Sequence, residues 1–138
     1  LTPFIVKWPG KVSAPGTIVD PVGHVMDVMP TCLEIAGATY PASYRGREIL
    51  PVEGKSLLPA FRGESIPRPE GLFWELNGAR AVRLDDWKLV ATEDGPWELY
   101  NLAKDRAEQK NVAMENPDRV ATLTALYTDW SRRCNEGR

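Results

Sequence analysis

The sequence is poor in reactive side chains: it holds a single histidine, His24, and only two cysteines, Cys32 and Cys134, which lie far apart. No CxxC pair exists, so neither a zinc ribbon nor a redox dithiol can be read from it. GxSxG, Walker, HExxH and EF-hand patterns are also missing, which removes the common hydrolase, nucleotide, zincin and calcium-sensor motifs. No apolar run approaches the ~18 residues of a membrane span. The opening "LTPFIVKWPG" lacks the basic start and small-residue cleavage site of a signal peptide. Because the first residue is Leu1 and not methionine, that lack carries little weight. A formal net charge of −2 supplies no basic footprint for nucleic acid or for a polybasic membrane surface.

What is present fits an ordinary globular composition, with 43% apolar and 26% charged residues over 138 positions. A chain of this size removes roughly two thirds of its unfolded surface from water, so length does not limit the core. "FIVKWPG", from Phe4 to Gly10, reads as a short apolar strand stopped by Pro9-Gly10, with a Pro- and Gly-bearing loop up to Gly23. "DVMPTCLEIAG" then reads as a helix with Asp27 as N-cap, Pro30 in the first turn and Gly37 at the end. Val28, Cys32, Ile35 and Ala36 repeat at helical spacing with Leu33 beside them. This helix is therefore expected to be covered on two sides, with Cys32 as a buried structural thiol.

From Ala38 to Pro69 the chain is rich in Pro, Gly, Arg and Glu, and it reads as an ordered connector packed along another surface. Within it, Ser56 is placed to cap one or two helical turns around Leu57, Leu58 and Phe61. A β-meander follows, with turns near Asn77-Gly78, Asp85-Asp86 and Asp94-Gly95-Pro96 and strands at 72–76, 79–84, 87–92 and 97–100. Alternation puts Leu72, Trp74 and Leu76 on one face and Phe73 with Glu75 on the other. Both faces of that strand are apolar enough that one must meet a helix. "NPDRVATLTALYTDW" provides it, with Asn116 as cap, Pro117 in the first position and a stripe of Val120, Leu123, Tyr127 and Trp130 ending near Ser131. The fold class is α+β: a four-stranded antiparallel sheet packed with a C-terminal helix, preceded by a strand-loop-helix piece of a larger α/β arrangement.

The candidate chemistry is sparse. His24 stands near Asp27, but without a neighbouring nucleophile it reads as a residue that orients a loop. Asp85, Asp86 and Asp94 fall in turns, where Asp binds nearby backbone N–H groups, so no metal site is assigned to them. Glu75, an acid within an aromatic strand, reads first as a solvent-facing or salt-bridged side chain. Arg80 and Arg83 have the guanidinium geometry to hold an anion, though strand arginines commonly face solvent.

Five ordered segments, "PFIVKWPGKV", "HVMDVMPTCLEIAG", "GKSLLPAFRGE", "FWELNGARAVRLDDWKLV" and "WELYNLAKDRAEQKNVA", resemble the C-terminal portion of sulfatases, bacterial arylsulfatases in particular. The likeness runs over nearly the whole chain, and "YRGREILPVEGKSLLP" is closer to the arylsulfatase connector than to that of carbohydrate sulfatases. It implies a sulfuric ester hydrolase of alkaline-phosphatase-like architecture. Such an enzyme uses a formylglycine made from Cys or Ser in Cys/Ser-x-Pro-x-Arg, and a calcium ion held by Asp and Asn. Neither Cys32 in "PTCLEIAG" nor Cys134 in "RRCNEGR" fits that motif, and His24 falls in an "HVxDxxPT" element that looks like a helix start.

The resemblance therefore implies that residues 1–69 are the end of the catalytic α/β domain plus connector, and 70–138 the C-terminal sheet and helix. The catalytic residues, the formylglycine and the calcium are expected in an N-terminal sulfatase domain. That domain is the expected partner, with a sulfate ester as substrate of the whole; no nucleic acid or membrane partner is expected. This polypeptide alone is expected to hydrolyse no sulfate ester. No catalytic or metal residue is assigned within it; Trp74, Glu75, Asn77, Gly78 and Arg80, at the first hairpin, are the candidates for lining the substrate cleft. The other reading is a non-catalytic binding or interaction module that shares the meander. Periplasm, exterior and cytoplasm of a bacterial cell are not distinguished.

Overall fold

Asn77 and Gly78 both adopt positive φ, 49° and 78°, and together they reverse the chain between two paired strands. This is the backbone of a type I′ turn, whose twist matches that of the strands it joins. The structure, a computed structural model, describes residues 3–13 and 16–136. The chain divides into two compact units, Leu1–Pro67 and Arg68–Arg138. No helix among the described residues is long and apolar enough to cross a membrane.

The second unit contains an antiparallel meander of β3 (Leu72–Leu76), β4 (Ala79–Leu84), β5 (Trp87–Ala91) and β6 (Glu98–Asn101), followed by α3 (Pro117–Glu136). Its register aligns one row across all four strands: Phe73 opposite Val82, Val82 opposite Leu89, Leu89 opposite Leu99. Val82, Leu89 and Leu99 are fully buried beneath α3, which supplies Leu123 and Tyr127 to the same core. The expected α3 stripe is thus the packing face, with Val120 and Trp130 half-buried at its margins. The expected α+β sheet and helix are present, the helix continuing to Glu136.

Asn116 opens α3 differently from a side-chain cap. Its backbone carbonyl accepts from the N–H groups of Arg119 and Val120, while its side-chain amide donates backward to the Val112 carbonyl at 2.9 Å. Asn111 holds the preceding segment beside β6, its Oδ1 accepting from Leu99 N at 3.1 Å and Ala113 N at 2.9 Å.

The first unit contains a 3-10 turn (Val25–Asp27) running into α1 (Val28–Ala36), a two-stranded hairpin of β1 (Ser43–Tyr44) and β2 (Arg47–Glu48), and α2 (Leu58–Phe61). Four expectations change here. Phe4–Gly10 is not a strand, because no neighbour among the described residues pairs with it. The connector contains the β1–β2 hairpin, whose turn uses Arg45 and Gly46 at φ 50° and 78°.

Asp27 does not cap α1 with its side chain. Its carboxylate instead accepts from His24 N at 2.6 Å and Lys55 N at 2.9 Å, so this fully buried acid joins two segments. Finally, Cys32 is exposed, as are Val28, Met29 and Ile35, so α1 is not covered on two sides within the described residues. Both cysteines are free thiols.

The Asp27 junction is closely built. His24 and Asp27 form a reciprocal cap, Met26 N donating to His24 Nδ1 at 3.3 Å, which places His24 in the loop-orienting role. Thr31 Oγ1 donates to the Asp27 carbonyl at 2.6 Å and accepts from Leu57 N at 2.8 Å. Gly54 lies so near this turn that a Cβ would stand 2.5 Å from the Met26 carbonyl oxygen, at a φ of +91°. Only glycine combines that backbone with that approach. Ser56 Oγ accepts from Leu58 N at 3.2 Å and supports the start of α2.

Candidate functional site

Glu75 and Arg80 face each other across the β3–β4 pair, one residue pair removed from the turn itself. Both lie on the face covered by α3, since positions separated by two along a strand share a side. The exposed Glu75 carboxylate accepts the Tyr127 hydroxyl through Oε2 at 2.6 Å. Burial of the phenol, then this bond and the nearby negative charge, push the Tyr127 pKa up to about 12, with smaller opposing effects from Ser131 and Arg80. At neutral pH Tyr127 is therefore a fixed donor and holds Glu75 as an acceptor.

Arg80 places its guanidinium 5.0 Å from the centre of the Trp97 ring. Trp97 meets Tyr127 edge-on at 5.5 Å, Tyr127 meets Trp130 at 5.6 Å, and Trp130 stacks on Phe73 at 5.2 Å. The aromatic run thus ends in a cation held over a ring face, a contact worth about 0.5–1 kcal/mol at an exposed site. No hydrogen bond among the described residues engages the Arg80 N–H groups, so its fork keeps its donors.

The opposite face of the sheet carries Trp74, paired with Ala81, in a row continuing through Val90 to Glu98. With Leu76 and Pro96 these residues line a shallow groove of about 330 Å³, which Arg80 borders. Leu76 is 73% exposed and Trp74 37%, so the groove has an open apolar lip. At the tip, a Cβ on Gly78 would stand 2.5 Å from Glu93 Cγ, so the Glu93 side chain lies directly against the turn.

The structure therefore brings Trp74, Glu75, Asn77, Gly78 and Arg80 to one end of the sheet, distributed over its two faces and the turn between them. It does not pair Arg80 with Arg83. Three positions apart on one strand puts them on opposite faces, and Arg83 spends its Nε on the Asp85 carbonyl at 2.9 Å. Asp85, at φ 53°, is a turn residue. Sequence reasoning missed Trp97 and Tyr127 as neighbours of this end, although Tyr127 was already on the core stripe.

Chemically, this arrangement can bind and orient. It offers a guanidinium, an amide with donor and acceptor, a fixed carboxylate and aromatic faces. Among the described residues no three His, Cys, Asp or Glu side chains form a group able to hold a metal. Cys32 is followed by Leu33 and Glu34, so the residues present do not fit the formylglycine motif either.

A four-stranded antiparallel meander with one long helix packed on one face defines an α+β module. The chain belongs to the sulfatase family: the model for "N-sulphoglucosamine sulphohydrolase, C-terminal" matches residues 1–128. It is 33% identical to an uncharacterized sulfatase of Schizosaccharomyces pombe over 93% of this chain and 24% of that protein. It is 41% identical to an ulvan-active sulfatase of Formosa agariphila, over 92% of this chain and 31% of that protein. The fold superposes on the crystal structure of Ps i-CgsB with a TM-score of 0.73 at 24% identity, covering 90% of this chain and 27% of that one. The chain thus spans 24–31% of the length of these proteins, and its kin are not confined to bacteria.

Proposed function

We propose that this chain acts as the C-terminal part of an arylsulfatase-like sulfuric ester hydrolase and that the end of its β3–β4 hairpin borders the substrate cleft. The match of a sulfatase C-terminal model over residues 1–128 carries the enzyme reading. In it, the formylglycine and the calcium belong to the remainder of the enzyme and supply the covalent and Lewis-acid chemistry. This chain's residues recognise the ester. Arg80, preorganised over Trp97 with its donors uncommitted, is suited to an anionic group, and the sharp Asn77-Gly78 turn lets backbone approach a ligand closely. The alternative, a non-catalytic module sharing the meander, has no observation in its favour.

The test uses the full-length enzyme. Arg80→Ala is expected to lower kcat/KM by about tenfold, a change of about 1.4 kcal/mol, and unequally across a panel of sulfate esters; Asn77→Ala should act in the same direction more weakly. Equal values for every ester with unchanged stability would make the hairpin scaffold only. The 138-residue chain alone is expected to turn over no aryl sulfate. Turnover by the purified chain, free of other sulfatases, would overturn that division of labour.

A further inference from the structure

β3 forms one edge of the meander, and among the described residues no strand lies beyond it. The two-residue turn makes Leu76 and Ala79 a pair that exchanges both backbone hydrogen bonds, and bonded and unbonded pairs then alternate along the strands. Trp74 and Leu72 therefore bond inward to Ala81 and Arg83, while the N–H and C=O groups of Phe73 and Glu75 point outward. Those outward groups make no hydrogen bond among the described residues. The far edge is different. At β6 the outward N–H and C=O of Leu99 are taken by Asn111 Oδ1 and Val112 N.

Edge strands that stay single are commonly guarded by proline, lysine or a bulge. β3 has none of these, and its register with β4 is unbroken. Glu75 is its one charge, and the Tyr127 hydroxyl holds that carboxylate on the side of the sheet that α3 covers. On the other side the open edge is flanked by Trp74 and Leu76, both exposed. Unpaired backbone groups beside uncovered apolar side chains are a template for another strand.

We infer that the β3 edge is an interface between two copies of this chain, paired antiparallel about a two-fold axis at Trp74. The occupant follows from register. An axis at Trp74 sets Phe73 of each copy opposite Glu75 of the other, so the outward N–H and C=O groups of both strands all find partners. An axis at Phe73 would set Glu75 against Gly71, whose N–H is already given to the Arg68 carbonyl. An axis at Glu75 would put like carboxylates directly opposite each other, which destabilises a ladder. With the axis at Trp74 the indole meets its own copy in an unbonded pair, the type that brings side chains closer, and the apolar lip shared with Leu76 is covered. The paired strip is only five residues long, so the buried area falls at the low end for stable partners and the dimer is reversible. It does not depend on the ester-binding role proposed above.

Sedimentation velocity on the 138-residue chain and on the full-length enzyme tests this. Both are expected to pass from monomer to dimer with a dissociation constant of about 1–100 μM. Residue-resolved amide exchange reads the register. The amides of Phe73 and Glu75 are expected to slow by at least about tenfold between dilute and concentrated samples, while that of Trp74, bonded inward, stays protected in both. Trp74→Lys and Trp74→Glu each bring like charges together at the axis and should weaken the dimer by at least about tenfold. An equimolar mixture of the two variants sets opposite charges there and should recover a dimer, which also shows that both variants keep their fold.

A monomer that persists at about 500 μM in either protein would overturn the inference. So would a dimer that both variants leave unchanged, or one that fails to return on mixing, since the contact would then lie elsewhere, as on the exposed Val28, Met29 and Ile35 of α1. Exchange at Phe73 and Glu75 that is independent of concentration while a dimer forms would likewise remove the β3 edge as its seat.

Discussion

Tyr127→Phe isolates one bond with little change in volume, because the phenyl ring keeps its contacts with Trp97 and Trp130. What is lost is the 2.6 Å donation to Glu75 Oε2. A hydrogen bond to a charged acceptor contributes about 1.5–3 kcal/mol when sheltered. Glu75 is exposed, so water replaces the lost donor and the expected cost falls to about 1 kcal/mol. In a unit the size of Arg68–Arg138 that lowers the thermal midpoint by about 4–8 °C. Tryptophan fluorescence in urea is a suitable assay, since Trp74, Trp87, Trp97 and Trp130 all lie in this unit.

The pH dependence adds a second readout. Burial and the bond to Glu75 push the folded phenol's pKa up to about 12 from an ordinary value of about 10, so the unfolded state releases its proton first. Its contribution is complete below about pH 10 and is lost as pH rises towards 12. Tyr100, raised to about 12 chiefly by its bond to Glu98, loses stability in the same window. Tyr127→Phe should therefore keep only about half of the wild-type alkaline loss. A variant within about 0.3 kcal/mol of wild type at pH 7, with no coupling to Glu75→Gln in a double-mutant cycle, would refute the reasoning.

Three further outcomes follow from named contacts. Leu89→Ala removes a fully buried side chain from the centre of the row Phe73, Val82, Leu89, Leu99, and urea unfolding should show a loss of about 2–5 kcal/mol. Gly54→Ala should destabilise the first unit by more than about 1 kcal/mol, through its positive φ and the approach to the Met26 carbonyl, seen as faster exchange of the Lys55 amide. Asp27→Ala strands the N–H groups of His24 and Lys55, at about 1 kcal/mol for each half-buried donor, and should free both amides to exchange while leaving those of Val82 and Leu89 protected.

The meander was legible because its side chains alternate and its turns require special backbone. Asn77-Gly78 fixes the β3–β4 register, and the two-residue turn at Asp85-Asp86 fixes the next, so the buried row follows almost without freedom. The β1–β2 hairpin escaped notice since all four of its strand residues are exposed and show no apolar alternation; only Gly46 marked the turn. Phe4–Trp8 failed for the converse reason. Its composition suits a strand, but a strand also requires a neighbour, and composition says nothing of where that neighbour is. Asp27 was read as capping the helix that follows, whereas its carboxylate closes a capping box with His24 three residues earlier, a pair outside the usual Ser/Thr-x-x-Glu/Gln signature.

The candidate site shows where such reading stops. Alternation had put Phe73 and Glu75 on one face of β3 without saying which face meets α3, and helical period had placed Tyr127 on the helix stripe that packs against the sheet. A buried tyrosine hydroxyl requires a partner, and Glu75 is the acid that β3 offers on that face. The two halves of the bond were thus both in hand, 52 positions apart. They could not be joined because a helix can cross a sheet in either direction, and one direction carries Tyr127 away from the hairpin. The choice is made by the tether between β6 and α3: Val112 N donates to the Leu99 carbonyl at 2.9 Å and Asn111 Oδ1 accepts from Leu99 N, fixing where the helix begins. From that start α3 runs towards the β3–β4 end, bringing Tyr127 to Glu75 and setting Trp97 beneath Arg80. The geometry of the proposed cleft wall therefore depends on the short segment that sets where α3 begins.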